Sequence, residues 1–127
     1  MGFNVVDVPG LSNEGHQYSN VVKKGNFVFI TGQSVLHDSE AKTLDARDQA
    51  IRIFKNLERC MESAGGSLQD IVKLNIFLTG AEQFSVIKEV RPQFFKSPYP
   101  ATTTMVVHSI VLRDLMMAID AIAILDD

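Results

Sequence analysis

The stretch Leu115–Leu125, LMMAIDAIAIL, is the most apolar run of the chain, and it carries one charge, Asp120. Broken by that carboxylate, it is too short to cross a membrane and has to find its place inside a fold. Read as a strand with a two-residue period, it sets Asp120 on one face with Met116, Ala118, Ile122 and Ile124. An ionised carboxylate on an apolar face is costly unless something pairs with it. One reading is functional: desolvation disfavours the charged form and fits Asp120 for proton transfer or for holding a water. The other is an acid paired with an Arg or Lys from a neighbouring element.

At 127 residues the chain is expected to be one domain over 1–127, long enough to bury roughly two thirds of its unfolded surface. Cys60 is the single cysteine, so no intramolecular disulfide can form, and its place on the apolar side of a helical pattern reads as a small buried hydrophobe. The net charge of −3, with cations scattered apart from Lys23 and Lys24, argues against a nucleic-acid surface. Met1 to Pro9 shows no basic region followed by a long apolar stretch, and Val6 stands where a myristoylation signal needs Ser or Thr. A soluble cytoplasmic protein with no membrane partner is expected.

Asn4 to Val8 reads as a short edge strand closed by Pro9 and Gly10, followed by a polar turn over Ser12 to Gly15. Tyr18 to Val22 and Asn26 to Thr31 read as two strands joined at Lys24 and Gly25. From Ala46 the period changes. Ala46, Ala50, Ile53, Phe54, Leu57, Cys60, Met61 and Ala64 fall on one helical face, and Gly65 and Gly66 stop the helix as a C-cap. Glycines after a helix are poorly placed to cradle a phosphate, which needs free N–H groups at a helix start. Ile71 to Leu78 is a further strand. Phe84, Ile87, Arg91, Phe94 and Phe95 follow helical spacing, with Pro92 set to kink or end that helix. Thr102 to Ile110 and Leu115 to Leu125 are the last two strands. The expected architecture is α+β, a mixed sheet with both helices on one face. The other sheet face is then too apolar for a monomer, which points to a homo-oligomer with clefts where subunits meet.

Taken together, several blocks resemble the Rid family, also called YjgF. They are Tyr18–Val22, Gly25–Gln33, Gln49–Ala50, Asn56–Leu57, Ala64–Leu68, Asp70–Lys73, Phe94–Phe95, Tyr99–Ala101 and Ala118–Ala123, in the family's order from about Tyr18 to Ala123. The resemblance implies a chorismate-mutase-like fold, a homotrimer around a sheet-lined centre, and three clefts between subunits. It also implies hydrolysis of reactive enamines and imines derived from amino acids, releasing ammonia with neither metal nor organic cofactor. In the best-known members an Arg two residues after the Pro of the Tyr-Pro-Ala block grips the substrate carboxylate. A Glu on the last strand and a Cys near that Arg place the attacking water. A Tyr near the amino terminus and the Gly of a Ser-Gly-Gln turn complete the pocket.

The sequence departs from this pattern at the positions nearest the chemistry. Thr102 stands at the Arg position, Thr104 at the Cys position, and Thr103 restores no cation. Asp120 stands at the Glu position, withdrawing the carboxylate by a shift on the order of 1.5 Å. Lys88 replaces an Asn of the second helix, while Tyr18 and Gly32 are retained with Thr31 in place of Ser. A lost bidentate guanidinium removes roughly 1.5 to 3 kcal/mol of charged hydrogen bonding, so ordinary 2-imino acid turnover is expected to be weak.

The candidate catalytic residues are therefore Asp120, Tyr18, Thr31 and Gly32. The candidate substrate-binding residues are Thr102, Thr103, Thr104, Lys88 and Arg91, the last two as substitute cations or as solvated charges on a helix face. His16 is either a general base or an exposed loop residue. His37, His108 and Cys60 share no metal-ligand spacing with it, and no metal or cofactor is expected. Three readings follow: a divergent enamine or imine deaminase, a non-enzymatic small-ligand binder on the same trimer, and a ribonuclease or translation inhibitor, which the acidic balance disfavours.

Overall fold

The computed structural model describes residues 2–126. In chain order the elements are β1 (Asn4–Val5), β2 (Val21–Lys24), β3 (Phe27–Gln33), α1 (Ala46–Ala64), β4 (Ile71–Leu78), α2 (Gln83–Val90), β5 (Ala101–Val106) and β6 (Met117–Ile124), with single 3-10 turns at Ala41–Thr43, Leu68–Asp70 and Arg91–Gln93. The strands form one mixed sheet in the order β1-β2-β3-β6-β4-β5. All neighbours are antiparallel except β4 and β5, which run parallel and are joined across α2. The expected α+β architecture is present.

The apolar run forms β6, a central strand, and the pleat divides it sharply. Met117, Ile119, Ala121 and Ala123 are buried in one cluster with Ile53, Phe54 and Leu57 of α1. Ala118, Asp120 and Ile122 look the other way and are half-buried. Asp120 thus lies on the face turned from the helices, and the desolvation expected for it is only partial within one protomer. Its own face remains open because no helix covers it.

Helix α1 has the bounds its period implies, because local signals fix both ends. Asp45 caps the start by accepting a 2.9 Å hydrogen bond from the Asp48 amide. Gly65 ends it in the left-handed region at φ 94°, and the Gly66 amide returns 2.9 Å to the Met61 carbonyl. The second glycine serves packing: a Cβ on Gly66 would fall 2.5 Å from Leu125 Cδ2 and 2.6 Å from Asp70 Oδ2. The double glycine therefore ends a helix and admits a strand terminus beside it. On the buried face, the Gln49 side chain donates 2.9 Å to the Asp114 carbonyl and accepts 3.0 Å from the Met116 amide, tying the entry of β6 to the helix.

Cys60 is fully buried on this face, and burial pushes its thiol up to about 12 against a weaker opposing pull from Arg59. The native protein at pH 8 should leave a disulfide-exchange reagent unconsumed over minutes and titrate one thiol only in denaturant. A rapid native reaction would show that the helix face opens.

Helix α2 ends at Val90, two residues before Pro92, as a ring with no N–H requires. Its buried residues are Gln83, Ile87 and Val90, whereas Phe84, expected on the apolar face, is 41 % exposed beneath the Lys88 ammonium. Three strand expectations are corrected. β1 ends at Val5, with Val8 making only an isolated bridge to Leu11. β2 begins at Val21, because Asn13 Oδ1 accepts from the backbone amide of Asn20 at 2.8 Å and from its side chain at 3.0 Å, closing 13–20 as a loop. β5 stops at Val106, because Val106 pairs with Leu78, the last residue of its partner.

On the helix-free face the apolar excess is real. Phe27, Phe29, Met105 and Ile124 are 47 %, 42 %, 46 % and 41 % exposed, and the rings of Phe27 and Phe29 stack at 6.2 Å.

Candidate functional site

The geometry around Asp120 comes from a defect in strand pairing. β3 and β6 are in register as far as Ile30 opposite Ala121 and resume at Gln33 opposite Ile119. Two residues, Thr31 and Gly32, therefore stand across from one, Asp120. This is a β-bulge, which bends a strand and re-aims the side chains beside it. The backbone of Thr31 is held from the other side, its amide donating 2.9 Å to the Asn20 carbonyl. On the opposite flank β4 pairs Asn75 with Asp120, and the Asn75 amide donates 2.8 Å to Asp120 Oδ1.

Asp120 is thus oriented by the neutral side-chain amide of Asn75, and the pairing with Arg or Lys that was the alternative reading is absent among the described residues. Oδ2 has no hydrogen-bonding or ionic partner among them. Asp120, Thr31 and Gly32 line an open cleft of about 400 Å³, with Ser19, Phe29 and Ile122 at its apolar and polar edges. A cleft-lining carboxylate with one oxygen fixed and the other unpartnered is equipped to hold a water or accept its proton.

The remaining candidates are dispersed within one protomer. Tyr18 lies in the loop before β2 and lines a separate cavity, stacked on His16 with ring centroids 5.0 Å apart. Thr103 shares the face of Asp120, two strands away, and receives 2.8 Å from the Lys73 ammonium. Thr102 and Thr104 pair with the buried Leu74 and Ile76 and so belong to the helix-side face, where Thr102 Oγ1 donates 3.0 Å to the Pro100 carbonyl. Lys88 is exposed on α2, and Arg91 is half-buried in the turn after it. His108 is exposed after β5. Among the described residues, no group of three or more His, Cys, Asp or Glu side chains could hold a metal ion.

Two features escaped the sequence reading. Asn75 reads as a polar interruption of β4, and only the strand register reveals that it faces Asp120. The second is a larger cavity of about 740 Å³ between the loops around His16 and His37 and the polar face of α1. Its sequence signal is the three cations Arg52, Lys55 and Arg59, which fall on the helix face opposite the apolar one.

With this geometry in place, comparison with known proteins is decisive. A family model described as endoribonuclease L-PSP matches residues 12–125. The chain belongs to the Rid family, also called YjgF or RutC. A 2-iminobutanoate/2-iminopropanoate deaminase of Dermatophagoides farinae is 37 % identical over 90 residues, covering 69 % of this chain and 70 % of that protein. The crystal structure of RidA from a Psychrobacter species superposes with a TM-score of 0.84 at 32 % identity, over 96 % of this chain and 99 % of the other. That of Escherichia coli TdcF with bound serine superposes at 0.86 with 28 % identity, over 97 % and 99 %. The Rid fold is therefore shown across nearly the whole chain. No helix among the described residues is long and apolar enough to cross a membrane.

Proposed function

We propose that this Rid domain, spanning 1–127, is a divergent hydrolytic deaminase acting on a small enamine or imine in a crevice between protomers of a homotrimer. The observation that carries the reading is the bulge at Thr31–Gly32, which stands opposite a cleft-lining carboxylate with one oxygen held by Asn75 and the other without a partner among the described residues. The likeness to an imine deaminase and to a fold that binds an amino acid supports it.

In the proposed reaction Asp120 accepts a proton as water adds to the C=N carbon. Nitrogen takes that proton to give the neutral carbinolamine, an enamine having first tautomerised to its imine. Asp120 then removes the carbinolamine hydroxyl proton and passes it to nitrogen as the C–N bond breaks, so that ammonia and a carbonyl compound leave. The Thr31 hydroxyl and the backbone at Gly32 steady the polar intermediate. Thr102, where the resemblance implies Arg, offers no clamp for an α-carboxylate. The substrate is accordingly an enamine or imine differing in shape from ordinary 2-imino acids, with Thr103, on the face of Asp120, as a neutral donor. Lys88 and Arg91 of an adjoining protomer are the available cations; neither has a carboxylate partner among the described residues. The buried unpaired Cys60 suits the reducing cytoplasm.

The trimer rests on the exposed Phe27, Phe29, Met105 and Ile124, contiguous with the cleft through Phe29 and Ile122. Light scattering at micromolar concentration should return about three times the chain mass of 14.1 kDa, and a monomer mass would remove the shared crevice. Ammonia release from a panel of freshly generated enamines tests the activity. Acceleration of none, accompanied by a ligand-induced rise in melting temperature, would instead select the binding-protein reading that the serine-bound relative favours. RNA binding that weakens steeply with salt would revive the nuclease reading, against the net charge of −3.

A further inference from the structure

The cavity of about 740 Å³ shares only Gly32 with the Asp120 cleft, and nothing in the proposed deamination uses its other walls. Its volume falls in the range of small-molecule sites. Two independent features define what it would take. The first is a column of three rings: His16 lies between Tyr18, at 5.0 Å and 17°, and His37, at 4.7 Å and 31°. A planar molecule can extend such a column face to face, as aromatic pairs prefer centroids about 4.5 to 7 Å apart.

The second feature is positive charge left over on α1. Arg52 is neutralised by Asp38 and Glu40. Arg59 is not: its guanidinium donates to the Pro9 carbonyl at 3.3 Å and to the Asn56 side-chain carbonyl, both uncharged. Lys55 has no hydrogen-bonding or ionic partner among the described residues, and Glu58, which also lines the cavity, pairs with neither cation. A cavity that holds a ring column together with an ammonium and an uncompensated guanidinium has the chemistry of a receptor for a flat anion.

We propose that this cavity is a second ligand site, binding an aromatic or heteroaromatic carboxylate whose ring extends the Tyr18–His16–His37 column and whose carboxylate meets Lys55 and Arg59. The site is separate from the Asp120 cleft, and its occupancy does not depend on catalysis there.

Pyridine-3-carboxylate and benzoate are suitable probes, titrated into the full-length isotope-labelled protein and followed by NMR. Saturable shifts at His16, His37 and Lys55, with one equivalent bound per chain, are expected. The neutral amide pyridine-3-carboxamide should bind about tenfold more weakly or worse, because it forfeits the charge-assisted contacts. Cyclohexanecarboxylate, anionic but not flat, should bind a few-fold more weakly. The pair Lys55→Gln and Arg59→Gln together should cost at least about tenfold in affinity for the carboxylates and little for the amide. His37→Ala should weaken both aromatic probes alike. Lys55→Gln alone should leave ammonia release unchanged, which separates this site from the deaminase reading. Binding weaker than about 10 mM for both carboxylates would overturn the proposal. So would shifts confined to Thr31, Gly32 and Asp120, or equal affinity for acid and amide.

Discussion

Asp120→Asn should lower the rate of ammonia release by roughly 10² to 10⁴-fold, the usual worth of a positioned general base, while leaving the fold and the assembly as they are. The substitution is close to isosteric, and the new amide oxygen can still accept the hydrogen bond that Asn75 gives to Oδ1. What it removes is basicity at the oxygen that has no partner among the described residues. Because the carboxylate is half-buried and has no cationic partner among the described residues, losing its charge strands no buried ion, so the melting temperature should move little. The measurement is kcat/KM on the most active enamine alongside a thermal melt of both proteins. An Asn variant within twofold of wild type would take Asp120 out of the chemistry. Asp120→Glu is the informative companion, since it advances the carboxylate by about 1.5 Å towards the water it would hold.

The sequence reveals Asp120 and hides its setting, for one physical reason. A charge in an apolar run is visible locally. The bulge that aims it is a relation between β3 and β6, some ninety residues apart, and the two-residue period of either strand reads the same with or without it. Asn75 is likewise ordinary until the register of β4 on β6 sets it opposite Asp120. Where local chemistry decides, the reading holds: the α1 period, the Asp45 cap and the left-handed Gly65 fix that helix without help from the rest of the chain. Tertiary contacts decide elsewhere. Tyr18 and Ser19 have strand-like neighbours, yet the Asn13–Asn20 bonds draw them into a loop. Val107 to Ile110 looks extended, but β4 has run out beside it. The cavity behind Tyr18 belongs to the same class, because its walls come from two loops and a helix face that no single window contains.

The fold beneath both sites depends most on Phe54, and Phe54→Ala should destabilise the protein by roughly 3 to 5 kcal/mol. Phe54 is fully buried on the inner face of α1, stacked with Phe94 at 5.3 Å and meeting Phe95 edge-on at 5.8 Å. These contacts fasten the helix to the segment that follows α2, and they sit directly behind the face bearing Arg52, Lys55 and Arg59. Truncation leaves a cavity that rigid neighbours from the helices and the sheet cannot collapse to fill, which places the cost at the upper end for large-to-small changes. Phe84→Ala is the control. That ring is 41 % exposed and covers little beyond the Lys88 stem, so its loss should cost under about 1 kcal/mol. Urea unfolding followed by circular dichroism distinguishes them: the midpoint should fall far for Phe54→Ala at an unchanged slope, and barely for Phe84→Ala. The comparison belongs at several protein concentrations, because an assembly that forms only from folded chains adds its own stability to the measured value. Equal midpoints for the two variants would mean that α1 is not pinned through Phe54, and that the wall of the larger cavity is held in place by the loops alone.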